Sequence, residues 1–376
     1  MSGLATQTSA GMRRLALAAL LVFGILAGIG LVEVALRVHY TLSYSGRLED
    51  LAEHSDNPAP NARVKLGEML RLSPNPRIIY ELKPNLDVSF RSVPVRTNAD
   101  GWRDAPFVRE KAADHVRIVA IGDSVLFGWA IPEGRRYADL LEKMLNRRYP
   151  SRSWEVMVFA APGYNLVMEL EVLRSHGLAY QPDAILYGYT SNDSCLPNFV
   201  SDRLDVFSTT SFLRRYLAGL TFEDLALVER DDHLIAGTAY TESGEFDELK
   251  FCDPETASPE YRDLVGLGPF QAALEELTIL GAELGVPVFF VDHPILDGYP
   301  EATVPEGLIE VDAIRGFGPI DGARFRTRLD PKQHQLSIWD PHPTVAGNAL
   351  IAKNLFEQLD ELGIWARLAG ESALAD

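Results

Sequence analysis

Val116-Arg117-Ile118-Val119-Ala120-Ile121-Gly122-Asp123-Ser124-Val125 decides how this chain is read. Val116, Ile118, Val119 and Ile121 form a nearly continuous apolar run, the pattern of a strand buried on both faces of a parallel sheet. The run stops at Gly122-Asp123-Ser124, which leaves a serine at the strand's carboxyl end. Open α/β sheets bind ligands at that end. A serine there acts as a nucleophile when a base and oxyanion donors reach it. It also serves as an ordinary helix N-cap. Gly-Asp-Ser is expected by chance in roughly one chain in ten of this size. The tripeptide therefore needs support from other segments.

Downstream of this strand the pattern alternates. A helix over about 135–149 places Ala138, Leu141, Leu145 and Tyr149 on one stripe. A second strand, Glu155 to Phe159, ends in Ala160-Ala161-Pro162-Gly163-Tyr164-Asn165. A helix from Leu166 to about Gly177 follows. The third strand, Ala184 to Tyr189, ends in Thr190-Ser191-Asn192-Asp193. A helix over 270–284 leads to a fourth strand over 286–291, and a last helix covers about 344–362. Such alternation predicts a three-layer α/β/α domain over 111–366, with a flavodoxin-like parallel sheet of about five strands. The alternation breaks between about 196 and 267. That segment holds helical patterns at 211–220 and 222–229 and an acidic stretch at 231–248. It reads as a lid-like insertion over the active face.

Upstream, residues 77–110 read as a β-rich preface. Residues 78–85 and 88–93 alternate as two short strands. Thr97 to Asp104 is a turn followed by Trp102, which reads as core packing. Residues 38–76 are mixed and polar and read as a stalk, with some helix over 64–70. Residues 1–14 form a short tail that ends in Arg13 and Arg14. Leu15 to Leu36 is then apolar except for Glu33, and a helix of that length reaches roughly 33 Å, enough to cross a bilayer. A cleavable signal peptide competes with an anchor over 15–37. Its exit needs small residues, and Val34-Ala35-Leu36-Arg37 fits that poorly. Arg13 and Arg14 are nearly balanced by Arg37 and Arg47. The ordinary signal-anchor layout puts the tail in the cytoplasm and the bulk of the chain outside it, periplasmic or extracellular. Glu33 reads as a tolerated residue at the interface.

The chain has 376 residues, 47% of them hydrophobic, so it can build a sizeable core. Its 35 basic and 53 acidic residues give a net charge of −18, which argues against nucleic acid and against a broad anionic membrane surface as partners. The cysteines, Cys195 and Cys252, have no zinc-type spacing with histidines, so neither a structural metal nor a cofactor is expected. If the domain lies outside the cytosol, a bridge between them would staple the insertion to the loop after the third strand. Two buried free thiols are the alternative.

Gly122-Asp123-Ser124-Val125, Gly163-Tyr164-Asn165, Asn192-Asp193 and Asp340-Pro341-His342-Pro343 occur in that order, three of them just after strands. Together they resemble the four sequence blocks of the SGNH/GDSL hydrolase superfamily, over roughly 117–362 with the insertion excepted. Residues 98–103 also resemble the segment that precedes the first block in membrane-anchored bacterial members. The resemblance implies Ser124 as nucleophile, His342 as base and Asp340 as its orienting acid. It implies an oxyanion hole made by the backbone N–H of Ser124, the backbone N–H of Gly163 and the side-chain amide of Asn192. Taken alone, Gly163 is a turn glycine and Asn192 a turn or cap. Asp193 reads as a structural partner of its loop.

One departure concerns the last block. The family's pattern has two residues between aspartate and histidine, and this chain has one. Pro341 and Pro343 favour extended backbone around His342, and in extended chain residues i and i+2 point to one side. Asp340 therefore still meets His342. A rival base, His293 in Asp292-His293-Pro294, also follows a strand. The remaining histidines, His39, His54, His115, His176, His233 and His334, read as surface or packing residues. The expected activity is hydrolysis of ester-linked acyl groups, acetyl above all, on a small molecule or a polysaccharide outside the cytosol. Transfer of the acyl group to a glycan hydroxyl, and a non-catalytic glycan-binding module, are the alternatives.

Overall fold

Helix α1 (Gly3–Ser43) carries the apolar run. Within it, Arg13–Val38 is long and apolar enough to cross a membrane, a property that a signal sequence shares. Glu33 pairs with Arg37 at 2.7 Å, one turn along the helix. This computed structural model describes residues 3–43, 56–196, 213, 252, 254–257, 259–293, 303–313, 315, 333–337 and 340–371. Apart from Leu213, the helical patterns and the acidic stretch expected over 211–248 lie outside the described residues. Helix α1 and the domain that follows it are separate compact units.

The preface is built of two antiparallel pairs. Strand β1 (Leu70–Leu72) pairs with β2 (Tyr80–Leu82), and β3 (Asp87–Phe90) pairs with β4 (Val93–Arg96). The sequence expectation of one strand across 88–93 is wrong. Phe90 and Val93 face each other across a two-residue turn, with Arg91 at φ 51° and Ser92 at φ 62°. Turns of this kind usually announce themselves by Asn-Gly or Asp-Gly. Here Arg-Ser occupies the turn, so the alternating pattern ran through it unbroken. The expectation of a stalk also changes. Val64, Leu66, Met69 and Leu70 are buried, so this stretch belongs to a packed core. Only one helical turn, Leu66–Met69, forms before the chain enters β1.

The main sheet has five parallel strands, as the alternation led us to expect. They are β5 (His115–Gly122), β6 (Ser153–Ala160), β7 (Ala184–Tyr189), β8 (Val288–Asp292) and β9 (Ile309–Asp312), in the order β6-β5-β7-β8-β9. Ile118, Val119, Ala120 and Ile121 of β5 are fully buried. Burial of such valine and isoleucine side chains stabilises the fold by roughly 1.5–3 kcal/mol each. Strand β9 has no apolar run, because it is a short edge strand in which Val311 alone is buried. That is why it carried no strand signal of its own.

Helices α2 (Tyr137–Arg148), α3 (Leu166–Ser175), α4 (Leu267–Leu284), α5 (Val345–Glu361) and α6 (Ile364–Ala369) complete the domain. The winding direction reverses at β5. Right-handed crossovers therefore place α2 on one face and α3 with α4 on the other. Accordingly α3 packs against α4, and α2 packs against α5. The starts of α3 and α5 are set by side chains. Asn165 accepts from the Met168 N–H at 3.0 Å, and Thr344 accepts from the Gly347 N–H at 3.2 Å. Before α5, strands β10 (Gln335–Ser337) and β11 (Asp340–Pro343) form a small antiparallel pair.

Candidate active site

Strands β6, β5 and β7 end level with one another. Gly122 pairs with Ala160 on one side and with Gly188 on the other. The loops that leave these three ends carry Gly163, Ser124 and Asn192. Strand β5 is also where the strand order reverses, the topological switch point at which open α/β sheets place ligands.

Ser124 begins a one-turn helix, Ser124–Phe127, whose N-cap is Asp123. The Asp123 Oδ1 accepts from the Val125 N–H at 2.8 Å. Ser124 Oγ lies 2.7 Å from His342 Nε2 and 3.0 Å from Asp123 Oδ2. A hydroxyl has one hydrogen to donate, and the shorter contact is to the imidazole. Ser124 is 8% exposed, so its hydroxyl sits at the floor of the site.

His342 lies on β11. Its Nδ1 is 2.6 Å from Asp340 Oδ1, and its backbone N–H also donates to that oxygen at 3.2 Å. The single intervening proline thus leaves aspartate and histidine in contact, because both project from the same side of an extended strand. The other carboxylate oxygen, Oδ2, accepts from Arg91 Nη2 at 3.2 Å. Burial pushes the Asp340 carboxyl up. The imidazole of His342, its hydrogen bonds and the Arg91 guanidinium outweigh burial and hold the group below the usual carboxylate range.

Trp129 covers the imidazole. Its ring stacks on His342 with centroids 5.0 Å apart and planes 18° apart. Gly128, just before it, has φ 82°, and an added Cβ there would come within 2.5 Å of Arg136 Cγ. The buried Arg103 guanidinium fixes this loop by donating to the carbonyls of Phe127, Gly128 and Ile131. It also donates to the Pro94 carbonyl of β4. One side chain therefore ties the loop after the serine to the preface.

Gly163 has φ 81°, the left-handed region that glycine enters without steric penalty. Asn192 is partly exposed, in the short helical turn Ser191–Ser194. Asp193 holds that turn from beneath. It accepts from the Tyr187 hydroxyl at 2.6 Å, the Thr190 N–H at 3.0 Å and the Thr190 hydroxyl at 2.8 Å. Its fully buried carboxyl is raised well above the usual range, by burial first and then by Asp123. Cys195 is joined to Cys252 by a disulfide, so the bridged alternative holds over two free thiols.

The rival base has other partners. The His293 Nδ1 is 2.9 Å from the Tyr189 carbonyl, and its Nε2 has no hydrogen-bond partner among the described residues. Its ring lies against Tyr137 with centroids 5.1 Å apart. Burial lowers its pKa to about 4. Trp102 is buried against Phe159 and His176, as packing. Sequence reasoning did not single out Arg91, Trp129, Asp123 or Glu169. Glu169, on α3, is fully buried, and neither carboxylate oxygen has a hydrogen-bond partner among the described residues. Burial, followed by Asp193 and Asp123, raises its pKa well above the usual value. The one available signal was a glutamate inside the apolar run Leu166-Val167-Met168-Glu169-Leu170. Among the described residues, no group of three or more His, Cys, Asp or Glu side chains is placed to hold a metal ion.

Solved structures that resemble this chain include lipases, esterases and a putative lipolytic protein of the G-D-S-L family. A lipase from a goat rumen metagenome shares 13% identity at a TM-score of 0.37, over 67% of this chain and 99% of that one. A putative lipolytic protein of the G-D-S-L family from Desulfitobacterium hafniense shares 12% at a TM-score of 0.34, over 64% and 98%. A catalytic mutant of an acetylxylan esterase from Geobacillus stearothermophilus shares 14% at a TM-score of 0.35, over 70% and 98%. No protein-family model matches the chain, and no curated protein matches it. With overlap this loose, the functional reading rests on the side-chain geometry.

Proposed function

We propose that this chain is a serine esterase of the SGNH/GDSL hydrolase superfamily, acting on ester-linked acyl groups. One observation carries the reading: the continuous Ser124–His342–Asp340 relay, with contacts of 2.7 and 2.6 Å. Ser124 Oγ attacks the ester carbonyl carbon while its proton passes to His342 Nε2. The carbonyl π electrons move to the oxygen, which becomes an oxyanion. Collapse of this intermediate breaks the bond to the alkoxy oxygen, which leaves as the alcohol with the proton from His342. Water then repeats the sequence on the acyl-enzyme, releasing the acid and restoring Ser124. Asp340 keeps the Nδ1–H tautomer in place and stabilises the imidazolium.

The oxyanion is assigned to the N–H of Ser124, the N–H of Gly163 and the Asn192 amide. Support comes from the register that ends β6, β5 and β7 level, which sets these three loops side by side. The apolar helix α1 and the Cys195–Cys252 disulfide favour a domain held at a membrane on its oxidising side. Acetylated polysaccharide outside the cytosol is the substrate class we assign on that basis.

The test is active-site labelling of the full chain with a fluorophosphonate, read by peptide mass, alongside release of nitrophenol from an aryl acetate. Ser124 is expected to carry the label. Ser124→Ala and His342→Ala are expected to lose about 10⁴-fold or more in kcat. Full turnover by Ser124→Ala, or no label on Ser124, sinks the proposal.

A further inference from the structure

We propose that Arg91, at the tip of the β3–β4 hairpin, is a positioning residue for the Asp340–His342 pair. The hairpin then belongs to the working part of the site and is more than packing around it. The inference rests on the esterase reading above.

Four side chains form a closed ring. Arg91 Nη2 donates to Asp340 Oδ2, the carboxylate oxygen that His342 leaves open. The Arg91 guanidinium lies over the Trp129 ring, 4.8 Å from its centroid. Trp129 stacks on His342, and His342 returns to Asp340 through Nδ1. One cation thus grips the acid directly and the base through an aromatic face. A planar guanidinium performs both tasks at once, because it donates in its plane and stacks on its face.

The hairpin is built to deliver this side chain. Arg91 and Ser92 both occupy the left-handed region that non-glycine residues avoid, at φ 51° and 62°. Phe90 sets its ring edge-on against Trp129, with centroids 4.9 Å apart and planes at 82°. Arg103 ties the Pro94 carbonyl of β4 to the carbonyls on both sides of Trp129. The tip and the tryptophan are therefore fixed relative to each other by a third residue outside the ring.

The need for such a clamp follows from the short Asp-Pro-His spacing. Asp340 is held on one oxygen by two donors of His342, its Nδ1 and its own backbone N–H. Arg91 donates to the second oxygen and so opposes rotation of the carboxylate about its Cβ–Cγ bond. The charged groups that meet the relay include Arg91 on Asp340 and Asp123 on Ser124. Among the described residues, Arg91 is the cationic member. It opposes the imidazolium, so its loss favours the protonated base.

The test compares Arg91→Ala, Arg91→Gln and Arg91→Lys in the full chain, with kcat and KM for an aryl acetate measured across pH. Arg91→Ala and Arg91→Gln are expected to lower kcat about tenfold, with KM changed less than twofold. The acid limb of their kcat/KM profile is expected at higher pH than in the parent. Arg91→Lys keeps the charge, so it is expected to return the acid limb to its parent position while kcat stays low. In an Asp340→Asn background, Arg91→Gln is expected to add little to the loss already present. An Arg91→Gln enzyme with parental kcat and an unmoved acid limb overturns the proposal, as do independent, multiplying losses with Asp340→Asn. If Arg91→Ala fails to fold, the Gln and Lys variants carry the same readings. Failure of the esterase reading is a separate result, seen as an unlabelled Ser124 in the parent chain.

Discussion

Asn192 stands at the least constrained corner of the proposed site. Its neighbours are tightly held: Asp193 takes three hydrogen bonds from its own strand and turn. The Asn192 side chain itself is partly exposed at the surface of that turn. An amide so placed sits over a fixed base and remains open to a ligand. If it stabilises the oxyanion, its contribution is confined to the transition state. Asn192→Ala is then expected to lower kcat by about 10²–10³-fold with little change in KM. A fall confined to KM would place the amide in ground-state binding and remove it from the oxyanion hole. Among residues, the contrast between His342 and His293 is also physical. Both lie near a strand end, but His342 meets a hydroxyl and a carboxylate. His293 is fully buried and meets a carbonyl and a phenol ring, and that burial keeps it neutral.

At the scale of elements, the turn after β7 is held from two directions. Asp193 fastens it from within the sheet, and the Cys195–Cys252 disulfide fastens it to a segment 57 residues later. The Cys195 N–H donates to the Asn192 carbonyl at 2.8 Å, so a bridged residue is bonded to the backbone of the proposed oxyanion donor. In the loop-entropy account, closing a loop of this length stabilises the folded chain by about 4 kcal/mol. The double variant Cys195→Ser, Cys252→Ser is expected to unfold at lower denaturant concentration by that order, as is the parent chain under reductant. Equal midpoints with and without reductant would show that the bridge does not stabilise the turn. The β3–β4 hairpin is the second such element, since it reaches from the preface to Asp340 of the proposed relay.

At the scale of the whole molecule, a buried group of acids and one buried histidine give opposing pH terms. The folded His293 has a pKa of about 4, against about 6.5 for an unfolded histidine. Between these values the unfolded chain binds a proton that the folded chain refuses. Stability from this group is therefore lost as pH falls from about 6.5 toward 4, by up to about 3 kcal/mol. Glu169 and Asp193 are raised by burial. Above their unfolded values, near 4, the folded chain keeps protons that the unfolded chain releases. Their contribution is present at low pH and lost as pH rises through the folded pKa. Denaturant midpoints from pH 4.5 to 7.5 separate the two. His293→Gln is expected to lose the acid-side decline, and Glu169→Gln to weaken the decline on the other side. A His293→Gln curve parallel to the parent's would contradict the buried neutral imidazole.

Residues 116–121 were enough to place a buried central strand, because burial on both faces demands an apolar run and that demand is local. The same logic made helices α2 to α5 and three further strands of the sheet legible, and with them the α/β class, but not the short helix α6. It did not reach β9, an edge strand without such a run, nor the break at Arg91-Ser92, where a tight turn formed without its usual residues. The approach of Ser124 to His342, separated by 218 positions, was decided by tertiary structure. It depends on the strand order, on the level ends of β6, β5 and β7, and on the small β10–β11 pair. The position of Arg91 on Asp340, 249 residues away, was decided in the same way. Periodicity in a sequence records which face of an element is buried. Which side chains meet across the rim is set by how the elements are stacked.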